Sequence, residues 1–224
     1  MEMNGVAAFQ SIASAYDQWF TTPLGQYVAE QETRQLRQLL NQLHPETALD
    51  IGAGTGFATR ILLDAGWDVT AVEPSAAMQA IGRQKLPAVR WITAGAENLP
   101  FPDEAFACVL FFTTLEFVNN PQQAIGEALR VLQPGGHLII GFLEVESSWV
   151  AVYRHQADRG ELPWQVARFY DQQQLETMVG QPAQEKRSAL WLAPYAHPPY
   201  DEADRAGQRA GNVSGFSLIM WEKH

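Results

Sequence analysis

The chain has 224 residues, enough to bury one substantial core, and Lys+Arg 15 against Asp+Glu 25 gives a net charge of −10. No stripe of Lys and Arg suggests a phosphate-backbone partner, and no apolar run of about 18 residues suggests a membrane span. The one cysteine, Cys108, excludes an intrachain disulfide and a paired-cysteine metal site, and within "AFACVLFFTTL" it reads as a small buried hydrophobe.

In chain order, Ala7 to Leu43 reads as two helices interrupted near "TTPLG", the second carrying a stripe of Leu36, Leu39, Leu40 and Leu43. The N-terminus lacks a positively charged leader, so the expectation is a soluble cytoplasmic protein. "TALDIG" is a short apolar strand and "FATRILLDAG" a helix stopped by Gly66. "WDVTAVE" is the second strand, and "PSAAMQAIGRQKL" a helix opened by Pro74 and Ser75. "VRWITA" and "FACVLFFT" follow as strands, then a helix from Pro121 through "PQQAIGEALRVLQPGG" and a fifth strand, "HLIIGFLE". Short apolar strands alternating with helices indicate an α/β fold with a parallel sheet covered on both faces. Beyond Glu144 the sequence predicts helices in "SSWVAVYRHQADRG" and in "DQQQLETMVG", the latter capped by Asp171 and stopped by Gly180. Two last strands, "RSALWLAPY" and "GFSLIMWEK", flank a polar loop from Ala196 to Ser214.

The stretch from Asp50 to Gly56 reads D-x-G-x-G-x-G, with glycines at 52, 54 and 56, a strand-to-helix turn bare enough for a ligand to lie against the backbone. It is not the GxGxxG dinucleotide fingerprint, because Phe57 occupies the sixth position counted from Gly52. Glu73, at the end of the second strand, is placed to accept hydrogen bonds from a ribose diol. Asp50 would repel a pyrophosphate and suit a ligand carrying an ammonium group and a positive sulfur.

Four blocks, "LDIGAGTGFAT", "VEPSAAM", "AENLPFPDEAFACVLFFTTLEFV" and "ALRVLQPGGHLIIGF", resemble in order the class I S-adenosylmethionine (SAM) dependent methyltransferases, in particular the subfamily that includes the ubiquinone and menaquinone enzymes. They cover about Ala48 to Phe142. The resemblance implies a doubly wound, Rossmann-like seven-stranded sheet in the order 3-2-1-4-5-7-6, strand 7 antiparallel, with an N-terminal helical lid (1–44), a SAM-binding core (45–145) and substrate-side helices with the last two strands (146–224) in one domain. It implies that SAM is converted to S-adenosylhomocysteine (SAH), with Asp50, Gly52, Gly54 and Gly56 lining the methionine end and Glu73 gripping the ribose. Ala96 and Glu97 would flank the adenine, Pro74 would pack on its face, with Met78 there or in the core, and Thr113 or Thr114 would follow strand four. Gly95 departs from the family, which has an Asp there, so a side-chain contact to the adenine amino group is missing.

For chemistry the resemblance singles out Tyr16 in "SAYDQWF", either approaching SAM or serving as a packing or hinge residue beside Trp19. Glu116 in "TTLEF" either orients an acceptor hydroxyl or amine or is an ordinary surface glutamate. His155, Tyr153, Arg168 and Tyr170 fall after strand five, where the family contacts its acceptor, and "ARFYD" is suited to clamp an anionic or aromatic one. "HPPY" (197–200) echoes a nucleic-acid amine methyltransferase signature but lies in the wrong place and reads as a rigid loop. Five scattered histidines leave no metal site. The implied partner is a small-molecule acceptor and not nucleic acid; an apolar patch around Trp149, Trp164 or Trp191 would be an acceptor pocket or a homodimer contact. A SAM-binding protein without transferase activity and a nicotinamide-dependent oxidoreductase remain as alternatives.

Overall fold

The computed structural model describes residues 4–224. Seven strands form one sheet: β1 (Thr47–Ile51), β2 (Asp68–Val72), β3 (Arg90–Ile92), β4 (Phe106–Phe112), β5 (Leu132–Leu143), β6 (Glu185–Ala189) and β7 (Phe216–Glu222). Their order is β3-β2-β1-β4-β5-β7-β6, and β7 runs antiparallel to both neighbours. The order and the reversed strand are those expected from the resemblance.

The strand sequences explain why the sheet is covered on both sides. Val109 and Phe111 of β4 pack into one apolar layer, with Leu138 and Ile140 of β5, Ile125 and Ala128 of α5 (Pro121–Val131) and Leu175 of α7 (Gln172–Val179). Cys108, Leu110 and Phe112 face the other layer, which receives Leu36, Leu39 and Leu40 of α2 (Pro23–Leu40) and Ile61 and Leu62 of α3 (Phe57–Asp64). Strands apolar on both faces are the mark of a sheet buried between helices. Cys108 is fully buried, and burial pushes its thiol up to about 12, so it is packing and not a reactive group.

Two element boundaries and one helix depart from the sequence expectation. The helix from Pro121 ends at Val131, because Leu132 is already extended (φ −78, ψ 135) and leads into β5. The sixth strand begins at Glu185 and ends at Ala189, six residues before the end of "RSALWLAPY", since Leu190 adopts φ +67 and breaks the ladder. Within the expected loop from Ala196 to Ser214 lies a helix, α8 (Tyr200–Arg209). Asp201 and Glu202 in its first turn and Arg209 in its last complement the helix dipole, and Asp201 pairs with Arg205 at 2.7 Å. Its buried face presents Asp204 and Gly207 in place of large apolar residues, so it has no apolar stripe to read. The Asp204 carboxylate accepts from the Leu192 amide (2.9 Å) and the Tyr27 hydroxyl (3.2 Å), tying α8 to α2. "HPPY" forms the entry to this helix, with Tyr200 as its first residue.

Candidate functional site

The strand order turns outward in both directions between β1 and β4, and at such a switch point the crossovers leave toward opposite faces and open a crevice at the carboxyl ends. A cavity of about 1020 Å³, its mouth included, occupies that crevice. Its floor is the turn after β1 together with Phe112, Thr113 and Thr114 at the end of β4. Its walls are Glu73, Pro74 and Met78, and Gly95 to Glu97. The N-terminal helix α1 (Gly5–Tyr16) and the 3-10 turn Trp19–Thr21 roof it. The side-chain oxygen Oε1 of Gln10 in α1 accepts from the Ser75 hydroxyl (3.0 Å) and the Ala77 amide (3.1 Å), at the start of α4 (Ala76–Lys85). Asp17 accepts from Thr55 at 2.8 Å and pairs with Lys85 at 2.6 Å, which clamps the end of the lid to the turn and to α4.

The turn is built for close approach. Gly52 stands at φ +70, and a Cβ there would lie 2.2 Å from Thr114 Cγ2. Gly54, at φ +55, donates its amide to Glu73 Oε2 at 2.8 Å, while Ser75 donates to Oε1 at 2.7 Å. Glu73 is 6% exposed; burial raises its pKa, and the Ser75 and Gly54 amides oppose the rise. Each of its oxygens keeps a lone pair, so the carboxylate can hold the turn and still accept a diol. Asp50 is buried beneath the turn and accepts from the Thr59 hydroxyl at 2.5 Å. Burial raises its pKa to about 7, against the hydrogen bond from Thr59. Gly56 lies outside the cavity lining: at φ +90 it opens α3, and a Cβ there would press on Leu86 at 2.8 Å.

Tyr16, Asp50, Gly52, Gly54, Glu73, Pro74, Ala96, Glu97 and Thr113 all line the cavity, as do Met78 and Thr114. Glu97 Oε1 accepts from the Asn119 and Asn120 amides (3.2 and 3.3 Å), so its side chain also pins the loop at the mouth. At Gly95 an added Cβ would meet only Glu97 Oε2, at 3.1 Å. Thr113, a β-branched residue, takes φ +48, an unfavourable conformation of the kind that collects at functional sites.

Glu116, His155, Tyr153, Arg168 and Tyr170 are not part of the lining. Glu116 is fully buried behind it, and Oε1 accepts from the Leu143 amide at 2.8 Å while Oε2 is buried without a partner among the described residues. It is therefore no surface glutamate, and burial raises it to about 7 despite that hydrogen bond. Tyr170 is likewise buried with an unpartnered hydroxyl. Arg168 donates through Nη1 to the Asn119 carbonyl (2.7 Å) and through its amide to the Glu116 carbonyl (2.7 Å), bracing the loop after β4. His155 is exposed in the last turn of α6 (Ser148–Asp158). Tyr153 of α6 stacks on Trp164 at 3.7 Å between ring centroids. Trp149 is 4% exposed with its indole N–H donated to the Leu192 carbonyl (2.9 Å), so it forms no surface patch.

The sequence reading missed Glu32 and the rings of Phe9, Phe20, Phe57, Phe112 and Phe117, all of which line the cavity. Glu32 could have been found: it lies four residues before Leu36, so on a helix it falls on the buried stripe.

A doubly wound sheet with a glycine turn on its switch point and a buried acid after β2 defines an α/β protein with a ligand-sized crevice at that switch point. The methyltransferase domain profile matches residues 49–140. An uncharacterized protein of Methanocaldococcus jannaschii is 34% identical over 154 residues, covering 68% of this chain and 69% of that one. The demethylmenaquinone methyltransferase of Renibacterium salmoninarum is 33% identical over 138 residues, or 60% of this chain and 56% of the enzyme. The chain spans about half the length of several curated relatives it matches, the Renibacterium enzyme among them. A Thermotoga maritima crystal structure described as a SAM-dependent methyltransferase, "possible histamine N-methyltransferase", superposes with a TM-score of 0.77 at 25% identity, over 97% of this chain and 99% of that one. The chain belongs to the class I SAM-dependent methyltransferase family.

Proposed function

We propose that the protein transfers a methyl group from SAM to a small-molecule acceptor by direct displacement. The observation that carries this reading is the charge of the cavity: Asp50, Glu73 and Glu97 line the side of the glycine turn, and among the described residues no Lys, Arg or His lines it. Such a lining suits a sulfonium and an ammonium and opposes the pyrophosphate of a nicotinamide dinucleotide. Bound SAM supplies a methyl group activated by the positive sulfur. The chain's own residues bind and orient. Glu73 takes the ribose hydroxyls, the Gly52–Gly54 backbone and Asp50 take the methionine end, and Pro74, Ala96 and Glu97 border the adenine. The helices between Gly5 and Leu40 roof the crevice and exclude water, which alignment of a nucleophile with a fixed electrophile requires. The elements from 146 onward brace the loop after β4 from behind the lining, and the protein as a whole acts as one methyltransferase domain.

Calorimetric titration of ligand-stripped protein with SAM, SAH and NADH in separate runs tests this. Binding of both adenosyl compounds and not of NADH is the expected result; binding of NADH alone would overturn it. SAM binding without turnover of any acceptor would favour the binding-protein alternative.

A further inference from the structure

Glu32 is a carboxylate that the fold does not use. It sits on α2, is 7% exposed, lines the cavity, and makes no hydrogen bond or ion pair to another described residue. Val28 and Leu36, one turn before and after it, are buried and apolar, so a leucine at 32 would continue the stripe. The other buried acids of the cavity are engaged: Asp50 by Thr59, and Glu73 by Gly54 and Ser75. Those two belong to the β1–β2 side, where the nucleoside is placed. Glu32 belongs to the opposite side. Burial and then the charge of Glu116, which follows β4, push it up to about 8. Its own charge, after burial, raises Tyr16 of the lid and Tyr153 of α6. A carboxylate in so dry a setting without a cation is expensive to keep ionised unless a ligand supplies the missing charge. The surrounding walls are rings, Phe9, Tyr16, Phe20, Phe57, Phe112 and Phe117, whose faces attract a cation and whose area accepts an apolar skeleton.

We propose that Glu32 receives the basic nitrogen of the acceptor, which makes the acceptor class a small aromatic or apolar amine. The carbon skeleton lies against the phenylalanine rings and the ammonium group is set on the carboxylate. This rests on the methyltransferase reading above, and the test separates the two.

The full chain is saturated with SAH and titrated calorimetrically with phenethylamine and tryptamine, and with the neutral counterparts 2-phenylethanol and tryptophol. The wild type should bind at least one amine tenfold or more tightly than its alcohol. Glu32→Gln and Glu32→Leu should erase that preference while leaving SAH affinity within twofold and the melting temperature no lower, since neither removes a hydrogen bond. Failure of both amines to bind, equal binding of the alcohols, or undiminished amine binding by the variants would overturn the proposal. Loss of SAH affinity in the variants would also overturn it, by assigning Glu32 to the cofactor. A wild type that fails to bind SAH at all would remove the methyltransferase reading itself, and this proposal with it.

Discussion

Replacing Glu73 by Gln separates two jobs that the structure gives to one carboxylate. In the protein each oxygen accepts a backbone amide, Ser75 at 2.7 Å and Gly54 at 2.8 Å, so the side chain stitches the turn after β1 to the start of α4. Glutamine retains one acceptor oxygen and turns an N–H₂ toward the second amide, leaving a buried donor unpaired at a cost of about 1–3 kcal/mol. For a chain of this size that corresponds to a fall in melting temperature of roughly 2–12 °C. The same change removes the charge from the hydrogen bonds that the ribose diol would make. Loss of one charge-assisted bond is worth about 1.5–3 kcal/mol, or a rise in Kd of about 10- to 150-fold. Differential scanning calorimetry reads the first effect and titration with SAH at a temperature where the variant is folded reads the second. SAH affinity within twofold of wild type, with the melting temperature lowered, would show that Glu73 only builds the turn and would refute its place in the ribose site.

Gly52→Ala should be poorly tolerated, because the new methyl would lie 2.2 Å from Thr114 Cγ2 at a φ of +70; adding Thr114→Ala should recover the steric part of the lost stability and leave about 1–2 kcal/mol of backbone strain, and full recovery by urea unfolding would contradict the strain. Gly95→Asn needs no unusual backbone and its Cβ meets only the Glu97 carboxylate, at 3.1 Å, which need give only a few tenths of an ångström, so it should fold and add one neutral hydrogen bond to the adenine, about 0.5–1.5 kcal/mol in SAH affinity; unchanged binding would mean that the backbone alone reads the ring. Burial raises Asp50 and Glu116 to about 7 and Glu32 to about 8, from ordinary values of 3.8, 4.5 and 4.5. The folded protein therefore keeps protons that the unfolded chain has released, and the stability these groups contribute is full below about pH 4 and lost as pH rises through 7 to 8. His137, which burial lowers, works in the opposite sense only below its ordinary 6.5. Ligand-free protein should consequently lose roughly 3 kcal/mol between pH 6.5 and 9, and a melting temperature that is flat over that range would refute the burial of these acids without a compensating cation.

The sheet was legible because its strands are apolar on both faces and punctuated by glycine and proline, which is a strong local signal in "TALDIG", "FACVLFF" and "HLIIGF". Its strand order came from the resemblance of four ordered blocks and not from any residue taken alone. That Asp50, Gly52, Gly54, Glu73, Ala96 and Glu97 gather at one crevice was also legible, since they are close in sequence to the strand ends that carry them. The rest of the lining was not. Glu32 and the phenylalanines reach the cavity from α1, α2 and the ends of β4 by tertiary packing, and single aromatic residues in a helix look like core. Arg168 looked like a ligand clamp because its charge is visible in sequence, while the Asn119 carbonyl that engages it, 49 residues away, is not. The helix α8 escaped notice for a related reason: its buried face is an aspartate and a glycine.

The most direct measurement is a crystal structure of the protein with SAH bound. The expected complex has both ribose hydroxyls within hydrogen-bond distance of the Glu73 carboxylate, the amino-acid end over Gly52 and Gly54, the adenine between Pro74 and Ala96, and the sulfur facing the ring-lined space before Glu32. SAH lodged elsewhere, or seated in the crevice with Glu73 making no contact to the ribose, would contradict the assignment of this cavity as the SAM site.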